Sequence, residues 1–306
     1  MKPIFFLAAI CFAATLHAQS AASFIQTGDS LYEQAAYEAS AKAYKQAFAI
    51  SEASATDYYN AACSAALSGK HKQAFSWLEK SAEKGWRNLA HLNRDSDLSS
   101  LHDLKAWSDI QALVQANLDE YEKNLDKPLK AQLEQIYVRD QTLRQLYRDA
   151  EDKFGRESEE MKYFWALVAE EDSLNELEVI EILEEKGWVG RSVVGGKANM
   201  TVWLVIQHAP LETQEKYLPL LRESVKQGES QGSHLALLED RIQMRNGKPQ
   251  IYGSQITRDE TTDKQIVYPV LEPEYVNQRR AEVGLGPIEE YVKRWDIEWT
   301  VEQKEK

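Results

Sequence analysis

The sequence predicts a mainly α protein: a short helical solenoid followed by a helical domain that carries one β-hairpin. Three observations support this. A stretch beginning at Phe24 returns at Tyr58 with its small and aromatic residues in step, a 34-residue period. Downstream, apolar residues recur at helical spacing in one segment after another. With 14 glycines and 8 prolines in 306 residues, the chain is poor in helix breakers. Only one region, at about 249–270, alternates as strands do, around the acidic connection RDETTDK.

At the N-terminus, Lys2 precedes an apolar run from Ile4 to Thr15, and Leu16-His17-Ala18 ends in a small residue. This pattern predicts a signal peptide over residues 1–18, cleaved after Ala18 and too short to anchor in a bilayer. Ile10 stands before Cys11 where lipidation would need a small residue, so the expected product is secreted or periplasmic and carries no lipid. No transmembrane segment is expected after cleavage. Loss of Cys11 leaves Cys63 unable to form an internal disulfide, and it is expected as a small buried helix residue. The formal charge of −13 argues against nucleic acid or an anionic membrane as partner.

Residues 19–122 are assigned to the repeats. In the 34-residue register Gly28 falls on Ala62, Leu31 on Ala65, Tyr44 on Leu78 and Ala47 on Ser81. Gly28 and Ala62 mark a place where two helices approach closely. The segment 85–118 is read as a degenerate third unit, with Leu101, Trp107, Ile110, Leu113 and Val114 capping the stack, because a repeat buries its apolar face only against a neighbour. This pattern resembles the tetratricopeptide repeat. The resemblance implies an inner groove lined by Ile25, Asp29, Tyr32, Tyr59, Cys63 and Ala66, which would take a peptide or protein partner. The plainer reading is that so short a stack only supports the next domain.

A charged, proline-containing joint at 123–128 opens the second domain, expected over 123–300. An amphipathic helix begins at Leu129, with Leu133, Ile136, Leu143 and Tyr147 on one stripe. Asp140 lies on the same stripe and needs a partner, for which Arg139 and Arg144 are near. Helices are expected at 157–170 and 173–186, the second capped by Asp172-Ser173. The four glycines of 187–196 read as a tight loop. Its context rejects a phosphate-binding loop. A very apolar helix then runs to Gln207 and His208, and another covers 211–228. The helix of 232–246 carries Glu239, Asp240 and Arg241 and leads into a hairpin bearing Gln250, Tyr252 and Gln255. Two short helices and a polar tail at 301–306 complete the chain.

The segments WLVIQHA, LPLLRESVKQGE, LLEDRIQMRNGKPQIYGSQ and NQRRAEVGLGPIEEYV together resemble an uncharacterised bacterial domain family, over about 127–295. That resemblance implies a domain but not a function. Any site it holds would fall at Gln207, His208, Glu239, Asp240, Arg241, Gln250, Tyr252 and Gln255.

Two functional classes fit these residues. The first is an exported, non-catalytic interaction protein built on the helical repeats. The second is an envelope hydrolase acting on glycan or peptide, with catalytic candidates Glu239, His208 and Asp240, and with Asp259 available as a second carboxylate. A helix-borne Glu239 facing polar hairpin residues is similar in layout to lysozyme. Gln207, Arg241, Gln250, Tyr252, Gln255 and Asp140 are candidate ligand contacts. His71, His91, His102 and His234 are scattered without metal-ligand spacing, so no metal centre and no cofactor is expected.

Overall fold

The computed structural model describes residues 20–304. The expected signal peptide, residues 1–18, and the last two residues of the expected polar tail lie outside the described residues. The fold is mainly α with one small antiparallel sheet. The chain divides into two compact units, up to Lys123 and from Asn124 onward. Among the described residues no helix is long and apolar enough to cross a membrane.

In the first unit, α1 (20–33), α2 (Tyr37–Ile50), α3 (Ala55–Leu67) and α4 (His71–Glu83) follow one another through short turns in a repeat-like packing. A capping box of Ser54 and Asp57 starts α3. A Cβ on Gly28 would lie 2.9 Å from the Tyr44 ring, so glycine is what lets α1 and α2 close together. Their seam is fixed by Ser40, whose hydroxyl donates to the Gly28 carbonyl (2.7 Å) and meets that of Ser64 (2.9 Å). Tyr44, Phe48, Tyr58 and Trp77 pack as aromatic neighbours in the core.

The segment after α4 forms α5 (Leu89–Arg94), a 3-10 turn (Ser96–Leu101) and α6 (Ala106–Glu122). Leu101, Trp107, Ile110 and Val114 are buried here as the sequence predicts. Leu113 is 45% exposed and takes no part in capping the stack.

The second unit is organised by α7 (Lys127–Phe154), α8 (Glu159–Lys186) and α9 (Arg191–His208). Leu129, Leu133, Ile136 and Asp140 form the buried stripe of α7, which packs on both α8 and α9. Two helices predicted from sequence are here one. Asp172 does not cap a new helix but accepts from Arg144 of α7, and the Ser173 hydroxyl bonds back to the Ala169 carbonyl (2.9 Å), so neither residue interrupts α8.

The predicted glycine-rich loop is likewise shorter. α9 begins directly after Gly190, where a Cβ would strike the Glu229 side chain at 2.4 Å, and kinks at Gly195. From there Ala198, Val202, Val205 and Ile206 are buried and make α9 the central helix.

Two further helices, α10 (Leu211–Lys226) and α11 (Gly232–Arg245), close the core. The hairpin pairs β1 (Ile256–Arg258) with β2 (Gln265–Val267), with Ile256 opposite Val267 and Arg258 opposite Gln265. The first strand thus starts later than predicted. Gln250–Tyr252 is a looped segment that keeps a single bridge, from Gln250 to Val270. The short helices α12 (Val276–Glu282) and α13 (Ile288–Val292) follow. Residues 301–304, expected as a tail, are tied down: the Gln303 amide donates to the Pro273 carbonyl and the Lys304 amide to that of Glu274 (2.7 Å).

Candidate functional site

In the first unit a cavity of about 680 Å³ opens between α1, α2, α3 and the α5 region. Four residues predicted for the repeat groove line it: Asp29, Tyr32, Tyr59 and Cys63. Ala66 is instead buried in the core, and Ile25 packs against that core. The cavity also gathers Glu33, Tyr44, Asn60, His91, Asp95, Ser96 and Asp97, most of which sequence reasoning missed. None of its lining residues is a lysine or arginine.

Three tyrosines and three carboxylates meet here in pairs. The Tyr59 hydroxyl donates to Asp95 (2.8 Å), that of Tyr32 to Asp97 (2.5 Å) and that of Tyr44 to Asp29. Asp95 also receives the Cys63 thiol at 3.6 Å, lies 3.4 Å from the His91 ring nitrogen and accepts the Asp97 amide (3.1 Å). Tyr59 is held flat against Trp86, with centroids 4.2 Å apart at 19°.

These contacts keep the phenols and the thiol protonated. The bond to Asp97, then burial, raises the Tyr32 pKa. Burial, then Asp29, raises that of Tyr44, and burial, then Asp95, that of Tyr59. Burial and the carboxylates of Asp95 and Asp97 push the Cys63 thiol up strongly. No activated nucleophile results. Four carboxylates (Asp29, Glu33, Asp95 and Asp97) with His91 as the one basic side chain in the described lining leave the cavity negative, with aromatic faces beside the charge.

In the second unit the sequence candidates fall into three groups, the first two meeting at the Leu237 carbonyl, which accepts from Gln207 (3.4 Å) and Gln255 (3.5 Å). At the end of α9, His208 Nδ1 donates to Asp140 Oδ1 (2.9 Å). Asp140 also accepts from Gln141 (2.6 Å) and lies 3.4 Å from Arg144. Burial alone would raise its pKa, but His208, Gln141 and Arg144 together hold it below the usual carboxylate value. Arg144 also grips Asp172 (2.7 Å). The Gln207 carbonyl accepts from Arg241 (3.0 Å) and Gln214 (2.8 Å).

The second group is a turn built around Asp240, which is fully buried. Its Oδ1 accepts the amides of Ile251 (2.7 Å) and Tyr252 (2.9 Å), and its Oδ2 that of Ser254 (2.9 Å). Burial raises its pKa against the pull of those amides. Gln250 completes the turn by donating to the Gln255 and Tyr268 carbonyls (3.0 and 2.7 Å) and accepting the Gln255 amide (2.8 Å). The Gln255 side-chain amide donates to the Ser254 hydroxyl (3.0 Å).

The third group is Glu239, which pairs with Arg222 (2.8 Å) and accepts from the Tyr252 hydroxyl (3.3 Å). Burial first, then Glu239, pushes the Tyr252 pKa up to about 12.

The sequence candidates for acid–base work therefore do not converge on one centre. Asp240 is an anchor for backbone amides, and Glu239 is engaged in an ion pair. Asp259 accepts from Thr261 and Thr262 within the hairpin connection (3.1 and 2.8 Å). Residues that could hold a metal do occur in two clusters, Cys63–Asp95–Asp97 and Asp140–Asp172–His208, each with ligand-type atoms within 4.8 Å. In the second cluster Arg144 already supplies positive charge to both carboxylates. Asp95 and Asp97 share one short turn while Cys63 stands on α3, and the second cluster draws on three separate helices, so no metal-ligand spacing in the sequence marks either cluster.

A family model described as a family of unknown function (DUF6624) matches residues 128–304. No curated protein and no solved structure matches this chain.

Proposed function

We propose, for a chain that belongs to the DUF6624 family, that it is an exported binding protein whose helical-repeat unit takes a cationic side chain of a peptide or protein partner. The observation that carries this reading is the cavity of about 680 Å³, lined by Asp29, Glu33, Asp95 and Asp97 and by three tyrosines, with His91 the one basic side chain among the described lining residues. A lysine or arginine side chain would supply the missing charge, and the tyrosine faces would cover its apolar stem. The tetratricopeptide-like register of Phe24 and Tyr58 supports a partner-binding role for this face, and the apolar run of residues 4–15 supports export. Envelope hydrolysis is the second reading, supported by the Asp140–His208 contact.

The test is titration of the chain lacking residues 1–18 with a short peptide bearing one arginine, beside the same peptide with glutamine. Saturable binding of the first alone is expected, weakened about tenfold or more by Asp97→Asn. Equal binding of both peptides, or none of either, contradicts the reading.

A further inference from the structure

The charges at the end of α9 do not balance. Arg241 is part-buried yet makes one hydrogen bond, to the Gln207 carbonyl. Its Nε is buried with no hydrogen-bond partner. Arg280, also buried, shows what a satisfied guanidinium looks like here. It donates to the Gly286 and Tyr252 carbonyls (2.6 and 2.8 Å) and lies over the Tyr291 ring at 4.8 Å. Arg241 has no such set of partners, although leaving part of a guanidinium buried and unpaired is costly. Burial and the nearby charges of Arg245 and Arg144 pull its pKa down to about 10.

The neighbours give this imbalance a place. Arg241 and Arg245 lie one turn apart on α11 and grip the carbonyls of Gln207 and Ala209 (3.0 and 2.8 Å), on either side of His208. His208 spends Nδ1 on Asp140, which leaves Nε2 of a part-exposed ring uncommitted. Arg144 is taken by Asp140 and Asp172, so those carboxylates are already matched. Nearby, the buried amide oxygens of Gln207 and Gln214 also lack partners and call for a donor. A ligand that accepts from guanidinium groups and also donates a proton answers both needs. A phosphoryl group, with a second pKa of about 6, accepts strongly and keeps a proton on part of its population near that pH, whereas a carboxylate only accepts.

We propose that the end of α9 is a site for a phosphoryl group, with Arg241 and Arg245 as its cationic contacts and His208, positioned by Asp140, as the imidazole that faces it. The site is separate from the acidic cavity of the first unit and does not depend on the reading given for it.

The test follows the imidazole resonances by NMR in the chain lacking residues 1–18, with His208 identified through His208→Gln. Inorganic phosphate, glycerol 1-phosphate and acetate are added in turn at fixed pH and ionic strength. The expected result is a saturable shift of the His208 signal with a phosphate species, weakened about tenfold or more in Arg241→Gln. It should persist in Arg156→Gln, a surface control. Tighter binding of the monoester identifies an esterified ligand, and a response to inorganic phosphate alone identifies the free ion. Arg245 is exposed, so Arg245→Gln should fold even if Arg241→Gln does not, and it must also weaken the response. Equal shifts with acetate, unsaturable shifts of all histidines together, or a wild-type response in Arg245→Gln would overturn the proposal.

Discussion

The two units treat buried and half-buried carboxylates in opposite ways. In the second unit Asp240 receives three backbone amides, and Asp140 is matched by Arg144, His208 and Gln141. Such a group is a structural part: its charge is already satisfied within the fold. In the first unit Asp29, Asp95 and Asp97 receive phenol hydroxyls, neutral donors that orient a carboxylate without cancelling its charge. A carboxylate matched by cations or amides explains itself, while several grouped on an open cavity with neutral donors leave a potential that only something from outside can balance.

The sharpest way to break this contrast is to remove the best-matched group. Asp240→Ala leaves three amides of the 251–254 turn without acceptors, and a loss of about 3–5 kcal/mol is expected. Urea unfolding of the second unit checks it, and a loss below about 1 kcal/mol would mean that the anchor is dispensable.

The next effect concerns His234, buried and stacked on Trp203 with centroids 4.1 Å apart. Burial lowers its pKa from 6.5 to about 4. The unfolded chain takes up the proton first, so this contribution to stability is complete above pH 6.5 and is lost as the pH falls towards 4. Relative to His234→Phe, the wild type should lose about 2 kcal/mol across that window. Parallel stability curves for the two proteins would show that the imidazole is not held neutral.

Smaller again is the packing effect in the first unit. A methyl at Gly28 meets the Tyr44 ring at 2.9 Å, so Gly28→Ala should cost about 1–2 kcal/mol and displace the Tyr44 hydroxyl from Asp29. Thermal unfolding and cationic-peptide binding should fall together. At the bottom of the scale, Lys70→Ala removes an exposed ion pair with Glu38 and should leave the melting temperature unchanged.

What could be read from the sequence depended on how local its cause was. The repeat register, the need for a small residue at Gly28 and the all-round apolar α9 follow from spacing along the chain. The presence of a hairpin was legible too, but its first strand was displaced because Gln250 turns its side chain inward to hold the Gln255 and Tyr268 carbonyls. The continuity of α8 was hidden because the partner of Asp172 is Arg144, on another helix.

In the cavity, Tyr32 and Tyr59 were legible from the repeat pattern. Asp95 and Asp97 were not, since they follow a helix of six residues with no repeat signal. Asp240 reads as a candidate acid because its three amide partners become neighbours only once the turn has formed.

Cation binding in the cavity can be read by ¹⁹F NMR on protein carrying 3-fluorotyrosine, with Tyr32, Tyr44 and Tyr59 assigned through phenylalanine variants and agmatine as the guanidinium probe. The expected result is a saturable shift confined to those three tyrosines and abolished in the Asp95→Asn, Asp97→Asn double variant. Shifts spread over all the tyrosines, or a response that survives the double variant, would contradict the assignment of this cavity as a cation-binding site.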